Sequence, residues 1–139
     1  MIDYQINPVL MGGTIKSISS DGTVKINLRG RLGVLKVPSD IVINKEELET
    51  GKKLQFFFSY LRVIDNDIEF DDLDLNVDYG LNPTILGGKF LEVNDTAVEV
   101  GVMNGKGTVA VPRRWVFTEN DLEENNSCEF YLSCMQVVS

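Results

Sequence analysis

The 139-residue sequence contains no histidine, two cysteines, four prolines and a single tryptophan. The first two of these scarcities remove whole classes of chemistry. Without histidine there can be no Ser-His-Asp triad or Cys-His dyad, and the usual zinc sites run short of ligands. Cys128 and Cys134 sit in one segment without a CxxC spacing. Six residues along a strand span about 20 Å, too far for a disulfide, so both read as buried free thiols. No apolar run approaches the roughly 20 residues a membrane helix needs. The N-terminal MIDYQINPV lacks a basic region leading into an apolar stretch, so it does not read as a signal peptide, and a cytoplasmic protein is expected. GxxxxGK[ST], GxGxxG, GxSxG and HExxH are all absent, and nothing singles out a catalytic pair among the carboxylates. The expectation is a protein that is not an enzyme and needs neither cofactor nor metal.

Positive charge is also in short supply, with 13 Lys and Arg against 21 Asp and Glu for a net charge of −8. That balance repels phosphate backbones at long range. It is unevenly spread, however: residues 1–65 carry +2, residues 66–78 carry −6 and residues 79–139 carry −4. The acidic tract Asp65, Asp67, Glu69, Asp71, Asp72, Asp74 invites comparison with a calcium loop. An EF-hand needs glycine at its sixth position and glutamate at its twelfth, where counting from Asp65 gives Phe70 and Asn76. Alternation explains the tract better, with Leu73, Leu75 and Val77 on one face and Asp72, Asp74, Asn76 and Asp78 on the other. Residues 66–78 are therefore expected to form a charged closing strand that leads into the second half.

The dominant feature is an internal repeat. YQINPVLMGGTIKSISSDGTVKINLRGRLGVLKVPSDIV, from Tyr4 to Val42, matches YGLNPTILGGKFLEVNDTAVEVGVMNGKGTVAVPRRWVF, from Tyr79 to Phe117. Asn7-Pro8 meets Asn82-Pro83, and Gly12-Gly13 meets Gly87-Gly88, at an offset of 75. One residue is lost in the next turn and the offset becomes 74. Val24, Ile26 and Leu28 then meet Val98, Val100 and Val102, Gly33 meets Gly107, and Val37-Pro38 meets Val111-Pro112. Leu48 meets Leu122, and Phe56, Ser59 and Val63 meet Phe130, Ser133 and Val137. Glycine, proline and apolar positions persist while surface positions diverge, as duplication of one backbone predicts.

Within the first copy, Thr23 to Arg29 alternates cleanly, with Val24, Ile26 and Leu28 against Lys25, Asn27 and Arg29. Asp21-Gly22 reads as a hairpin turn and Arg29-Gly30-Arg31 as the next one. Leu32 to Val37 reads as a third strand ended by Pro38. Gly12-Gly13 precedes a strand, so it marks a bend or bulge and not a phosphate cradle. Ser39-Asp40 is placed to cap a short helical stretch, and Lys52 to Ile64 reads as one long apolar strand, matched by Asn126 to Val138. The fold class is all-β: two tandem small barrels from an internal duplication, spanning 1–78 and 79–139.

GGTIKSISSDGTVKINLRGRLGVLKVPSDI resembles the ribosomal S-one-type RNA-binding repeat, an oligonucleotide-binding (OB) barrel. The resemblance spans roughly residues 12–70, including Gly51 before the fourth strand, and is weaker over 87–138. It implies that single-stranded RNA lies on the second and third strands, where family members stack bases on aromatics. Here those positions hold Lys25, Asn27 and Lys36, and in the second copy Glu99, Gly101 and Ala110. An SH3-like barrel fits the same strand lengths.

Two residue groups follow as candidates. Lys16, Lys25, Arg29, Arg31 and Lys36 all fall on strands one to three of the first copy, where they form either a phosphate-tracking groove or an ordinary solvated face. Arg113-Arg114-Trp115 follows the second repeat's proline, with Trp115 in the place of Ile41. It reads as a core substitution or as an interface cluster of the kind rich in Trp and Arg. Two functions remain open: a non-enzymatic module binding single-stranded RNA weakly through the first barrel, and a protein-interaction or assembly module with no nucleic-acid activity.

Overall fold

The computed structural model describes residues 6–29, 33–64, 75, 77–118, 123 and 126–138. Among these the regular structure is strand or short 3-10 turn, without an α-helix, so no helix is long and apolar enough to cross a membrane. The first half supplies β1 (Val9–Ile18), β2 (Thr23–Leu28), β3 (Val34–Pro38), β4 (Lys53–Phe58) and β5 (Leu61–Ile64). The second supplies β6 (Thr84–Val93), β7 (Ala97–Val102), β8 (Gly107–Pro112), β9 (Val116–Phe117), β10 (Ser127–Leu132) and β11 (Gln136–Val137). Inward and outward residues alternate as the sequence pattern requires: Val24, Ile26 and Leu28 are buried on β2, and Val98, Val100 and Val102 on β7. Both hairpins form between the first two strands of each half, with different turn chemistry. In the first, Gly22 takes φ +89°. In the second, one residue shorter, the Asn94 side chain accepts the N–H groups of Thr96 (3.0 Å) and Ala97 (2.8 Å) and replaces the glycine turn.

All eleven strands join one sheet, in the order β11-β4-β1-β2-β3-β8-β7-β6-β10-β5-β9. An additional β4–β10 pairing closes eight of them into a ring. The repeat appears as a pseudo-two-fold axis through two seams. At the β3–β8 seam Leu35 faces its own counterpart Val109. At the β4–β10 seam Phe58 faces its counterpart Leu132. The buried apolar residues of both halves form a single cluster, including Phe56, Phe58, Phe90, Phe130 and Trp115.

The terminal strands are exchanged. β5 leaves its own half and pairs with β10 through Ser127↔Ile64, Cys128↔Val63 and Glu129↔Arg62. β11 pairs with β4 through Gln136↔Gln55 and Val137↔Leu54. Each also makes a parallel contact with the segment after the third strand of the half it joins: Leu61↔Val116, and by symmetry Val42↔Met135. The long strand expected over Lys52 to Ile64 is therefore broken at Ser59–Tyr60, and its counterpart is broken at Ser133–Cys134. The break redirects the chain across the seam. Ser59 Oγ accepts the Tyr131 N–H (2.8 Å) and donates to the Tyr60 carbonyl (2.9 Å). Ser133 Oγ accepts the Phe57 N–H (2.8 Å) and donates to the Cys134 carbonyl (2.7 Å). Both serines are buried.

Other expectations need adjustment. The arrangement as two tandem barrels is not confirmed by this strand order, and pairings cross the boundary at residue 78. Ser39 lies inside a 3-10 turn, Ser39–Ile41, whose preceding residue is Pro38, and no side chain caps it. Gly12-Gly13 carries no bulge, since the register shifts fall at Ile15/Ser17 and Phe90/Glu92. Gly13 instead provides room: a Cβ there would lie 2.5 Å from Ile26 Cγ2. Of the acidic tract, residues 65–74 and 76 lie outside the described residues; Leu75 is buried and Val77–Tyr79 forms a 3-10 turn, not strand.

At the β3–β8 seam the paired glycines have a steric purpose. A Cβ on Gly33 (φ +146°) would lie 2.1 Å from the Ala110 carbonyl oxygen, and one on Gly107 would lie 2.7 Å from that of Lys36. Gly33→Ala should destabilise the chain by more than about 3 kcal/mol, combining backbone strain with overlap. Ser59→Ala and Ser133→Ala each leave a seam N–H without its acceptor and should cost about 1–3 kcal/mol in denaturant unfolding. A loss below about 0.5 kcal/mol for both serine variants would mean that the seam does not depend on the hydroxyls.

Candidate functional site

The outward face of β1–β3 holds a shallow depression of about 320 Å³, lined by Ser17, Ser19, Asp21, Thr23, Lys25 and Lys36. Strand parity places its floor. Thr23 and Lys25 share the outward parity of β2, because Val24 and Ile26 point into the core. Pairing then sets Lys25 directly opposite Lys36 on β3 and opposite Ser17 on β1. Like charges in a direct cross-strand pair are unfavourable, so the fold carries a local electrostatic cost at this spot. Asp21 forms the rim. Its carboxylate accepts the Ser19 hydroxyl and the Thr23 N–H (3.0 Å), and these bonds, the Ser19 one foremost, hold the carboxyl below its ordinary value. With two ammonium groups, one carboxylate and three hydroxyls, the depression suits a hydrated anion such as a phosphodiester.

The other expected basic residues are distributed around it. Lys16 is exposed at the β1 bulge, and Arg29 is exposed just beyond β2 with its guanidinium over Gly12. Neither lines the depression. Arg31 lies outside the described residues. Ser17, Ser19 and Thr23 were not picked out from the sequence, although the parity that selects Lys25 also selects Thr23.

In the second half the equivalent outward positions are Glu99 and Ala110, directly paired. The Arg113-Arg114-Trp115 cluster folds as a 3-10 turn matching Ser39–Ile41. Trp115 is only 6% exposed and sits in the core where the first half has Ile41. It stacks on Phe58 at 5.9 Å and tilts against Tyr60 at 4.6 Å, two residues of the first half. Arg113 bonds the Asn94 carbonyl (3.1 Å) while Arg114 is exposed. Trp115 thus anchors the two halves to each other. Among the described residues no group of three or more His, Cys, Asp or Glu is placed to hold a metal ion. Both cysteines are buried and free. Burial, with the Glu129 charge adding to it, pushes the Cys128 thiol up to about 12, and burial also raises Cys134.

No protein-family model matches the sequence, and no curated protein matches it. Among solved structures the chain is similar to the cytoplasmic molybdate-binding protein ModG, crystallised with molybdate bound, at 18% identity over 94% of this chain and 96% of that one. The TM-score is 0.29, too low a likeness to carry an argument about this chain.

Two outcomes follow from this geometry. Lys36→Thr removes the like-charge pair and should raise stability by about 0.2–1 kcal/mol at low ionic strength, the gain shrinking as salt screens the repulsion. Native protein should leave a thiol-specific disulfide reagent unreacted, and denaturant should release both thiols. Rapid reaction of the native chain would contradict the burial of Cys128 and Cys134.

Proposed function

We propose that the chain is a non-enzymatic binding module of two OB-like barrels that takes single-stranded RNA weakly through the first. Support for the barrels comes from the pairing circuits. In one, β1, β2 and β3 lead to Val42, which contacts Met135 just before β11; β11 pairs with β4, and β4 with β1. In the other, β6, β7 and β8 lead to β9, which is parallel to β5; β5 pairs with β10, and β10 with β6. The first circuit has five strands, the number an OB barrel uses, and the second has five plus the two-residue β9 in the place of Val42; the ligand face of an OB barrel is strands two and three with the adjoining first loop. That is the location of the depression.

The observation that carries the RNA reading is the directly opposed Lys25–Lys36 pair over an open, hydroxyl-lined depression. A phosphodiester between the two ammonium groups removes their repulsion, which gives the pair a function that an ordinary solvated face does not need. The absence of aromatics there argues for weak, salt-sensitive contact with the backbone and against base stacking.

A second reading, a protein-interaction module, is favoured by a different feature. Tyr60 is 42% exposed and packs on both Trp115 and Phe117, with exposed Arg114 adjoining Trp115 in sequence. Tyr, Trp and Arg are the residues enriched at binding hot spots.

Fluorescence anisotropy of a labelled single-stranded RNA, titrated at low and at physiological salt, separates the two. Saturable binding that weakens with salt and is lost in Lys25→Glu/Lys36→Glu is the expected result. Absence of binding at low salt would overturn the RNA reading and leave the Tyr60–Arg114 surface as the one to pursue.

A further inference from the structure

The β3–β8 seam continues the outward row of the lysine pair into the second half. Lys36 lies opposite Thr108, Thr108 opposite Gly101, and Gly101 opposite Lys89. One line across five strands therefore reads Lys25, Lys36, Thr108, Gly101, Lys89. All five positions face away from the core, and none is acidic. Among the described residues no carboxylate pairs with any of the three lysines.

The pseudo-two-fold generates a second line with the opposite character. It begins at Glu92, passes through Glu99, Ala110, Val34 and Asn27, and reaches Thr14 and then Lys53. The duplication thus started from equivalent rows, and divergence has placed base on one and acid at the matching end of the other. Glu99 stands two residues from Gly101 on the same strand, about 7 Å along it. It borders the basic row without entering it.

The middle of the basic row is not bare. Gly101 lacks a side chain, and a Cβ there would lie 3.3 Å from the Leu91 side chain. Leu91 covers that position while remaining 53% exposed. The row therefore presents two ammonium groups, a hydroxyl, an apolar surface and a third ammonium group. That sequence of chemistries matches phosphate, sugar, base face and phosphate along a single strand.

We infer that the ligand of the proposed site is a single strand lying across the seam, held at one end by Lys25 and Lys36 and at the other by Lys89, with Leu91 against a base or ribose between them. This inference rests on the RNA reading above and adds to it a contribution from the second half. Four strand steps at about 4.8 Å put the two ends roughly 19 Å apart. The footprint belongs at the short end of the about 4–16 nucleotides that one OB fold covers. The acidic row sets the path: a strand displaced by one row meets Glu99 and Glu92.

The test uses the full chain and labelled oligouridylate RNA at low salt, comparing Lys89→Glu with Lys53→Glu. The second makes the same charge change on the other row. Lys89→Glu should weaken binding about tenfold and reduce the salt slope by about 0.7, the value of one lost single-strand phosphate contact. Lys89→Arg should retain binding, and Lys53→Glu should stay within about twofold of the unsubstituted protein. Circular dichroism of each variant checks that the fold is kept. If Lys89→Glu and Lys53→Glu behave alike while Lys25→Glu/Lys36→Glu still abolishes binding, the track across the seam is wrong and the site on the first half stands. If the unsubstituted protein binds no RNA, both fall.

Discussion

The structure depends on two buried serine hydroxyls at the β4–β10 seam. Each accepts an N–H from the opposite half and donates to the carbonyl of the residue that follows it. A strand continuing straight past Ser59 would have carried β5 along its own half. The serine break lets the backbone leave the β4 ladder while the seam N–H groups of Phe57 and Tyr131 stay satisfied, as buried backbone donors require. From that turn follow the exchange of β5 and β11, the parallel contacts of Leu61 and Met135, and the closure of both circuits. Each circuit is completed by a strand from the other half, so the two copies share one core.

The exchange also explains where the ion pair and the tryptophan sit. Arg62 on β5 reaches Glu129 on β10, through both its Nε and a terminal nitrogen, and the pair is largely shielded from solvent. The symmetric position holds Gln55 opposite Gln136, uncharged. One crossing is therefore marked by charge and the other by neutral amides, which makes the two exchanged strands chemically distinct; pairing of this kind is suited to fixing register. Trp115 enlarges the Ile41 position and fills the space against Phe58 and Tyr60, where the other crossing has only smaller apolar groups. Symmetry of the backbone is kept while the two contacts across it diverge.

The same logic applies to the outer face. The backbone repeats, so every outward residue has a counterpart, and function must come from differences between counterparts. Lys25 and Lys36 correspond to Glu99 and Ala110, and Lys16 to Leu91. The first half keeps an opposed lysine pair at an electrostatic cost, while the second presents acid next to an apolar surface. The proposed path for a single strand uses both, since the β3–β8 seam makes one continuous surface of two faces that the sequence separates by about 70 residues.

Much of this was legible in the residues themselves. Alternation at Thr23 to Arg29 identified β2 and its outward lysine, Asp21-Gly22 identified the hairpin, and the repeat matched Gly33 to Gly107 and Ser59 to Ser133, although nothing in the sequence distinguished these four from the other matched positions as the residues on which both seams rely. These are local properties, carried by side-chain period and turn chemistry. The break at Ser59 was not legible, because apolar and aromatic residues run on both sides of it, from Leu54 to Phe58 and from Tyr60 to Ile64, and periodicity cannot show where a strand changes partner. The joining of Lys36 to Thr108, and through it to Lys89, was equally hidden. Pairing between halves is a long-range choice, set by how two apolar faces bury each other and not by any neighbour in the chain. The sequence by itself determined that the chain is all-β and that its two halves carry matching glycine, proline and apolar positions. Only the tertiary structure decided that the copies trade their last strands, and so which charges from each half lie along one line.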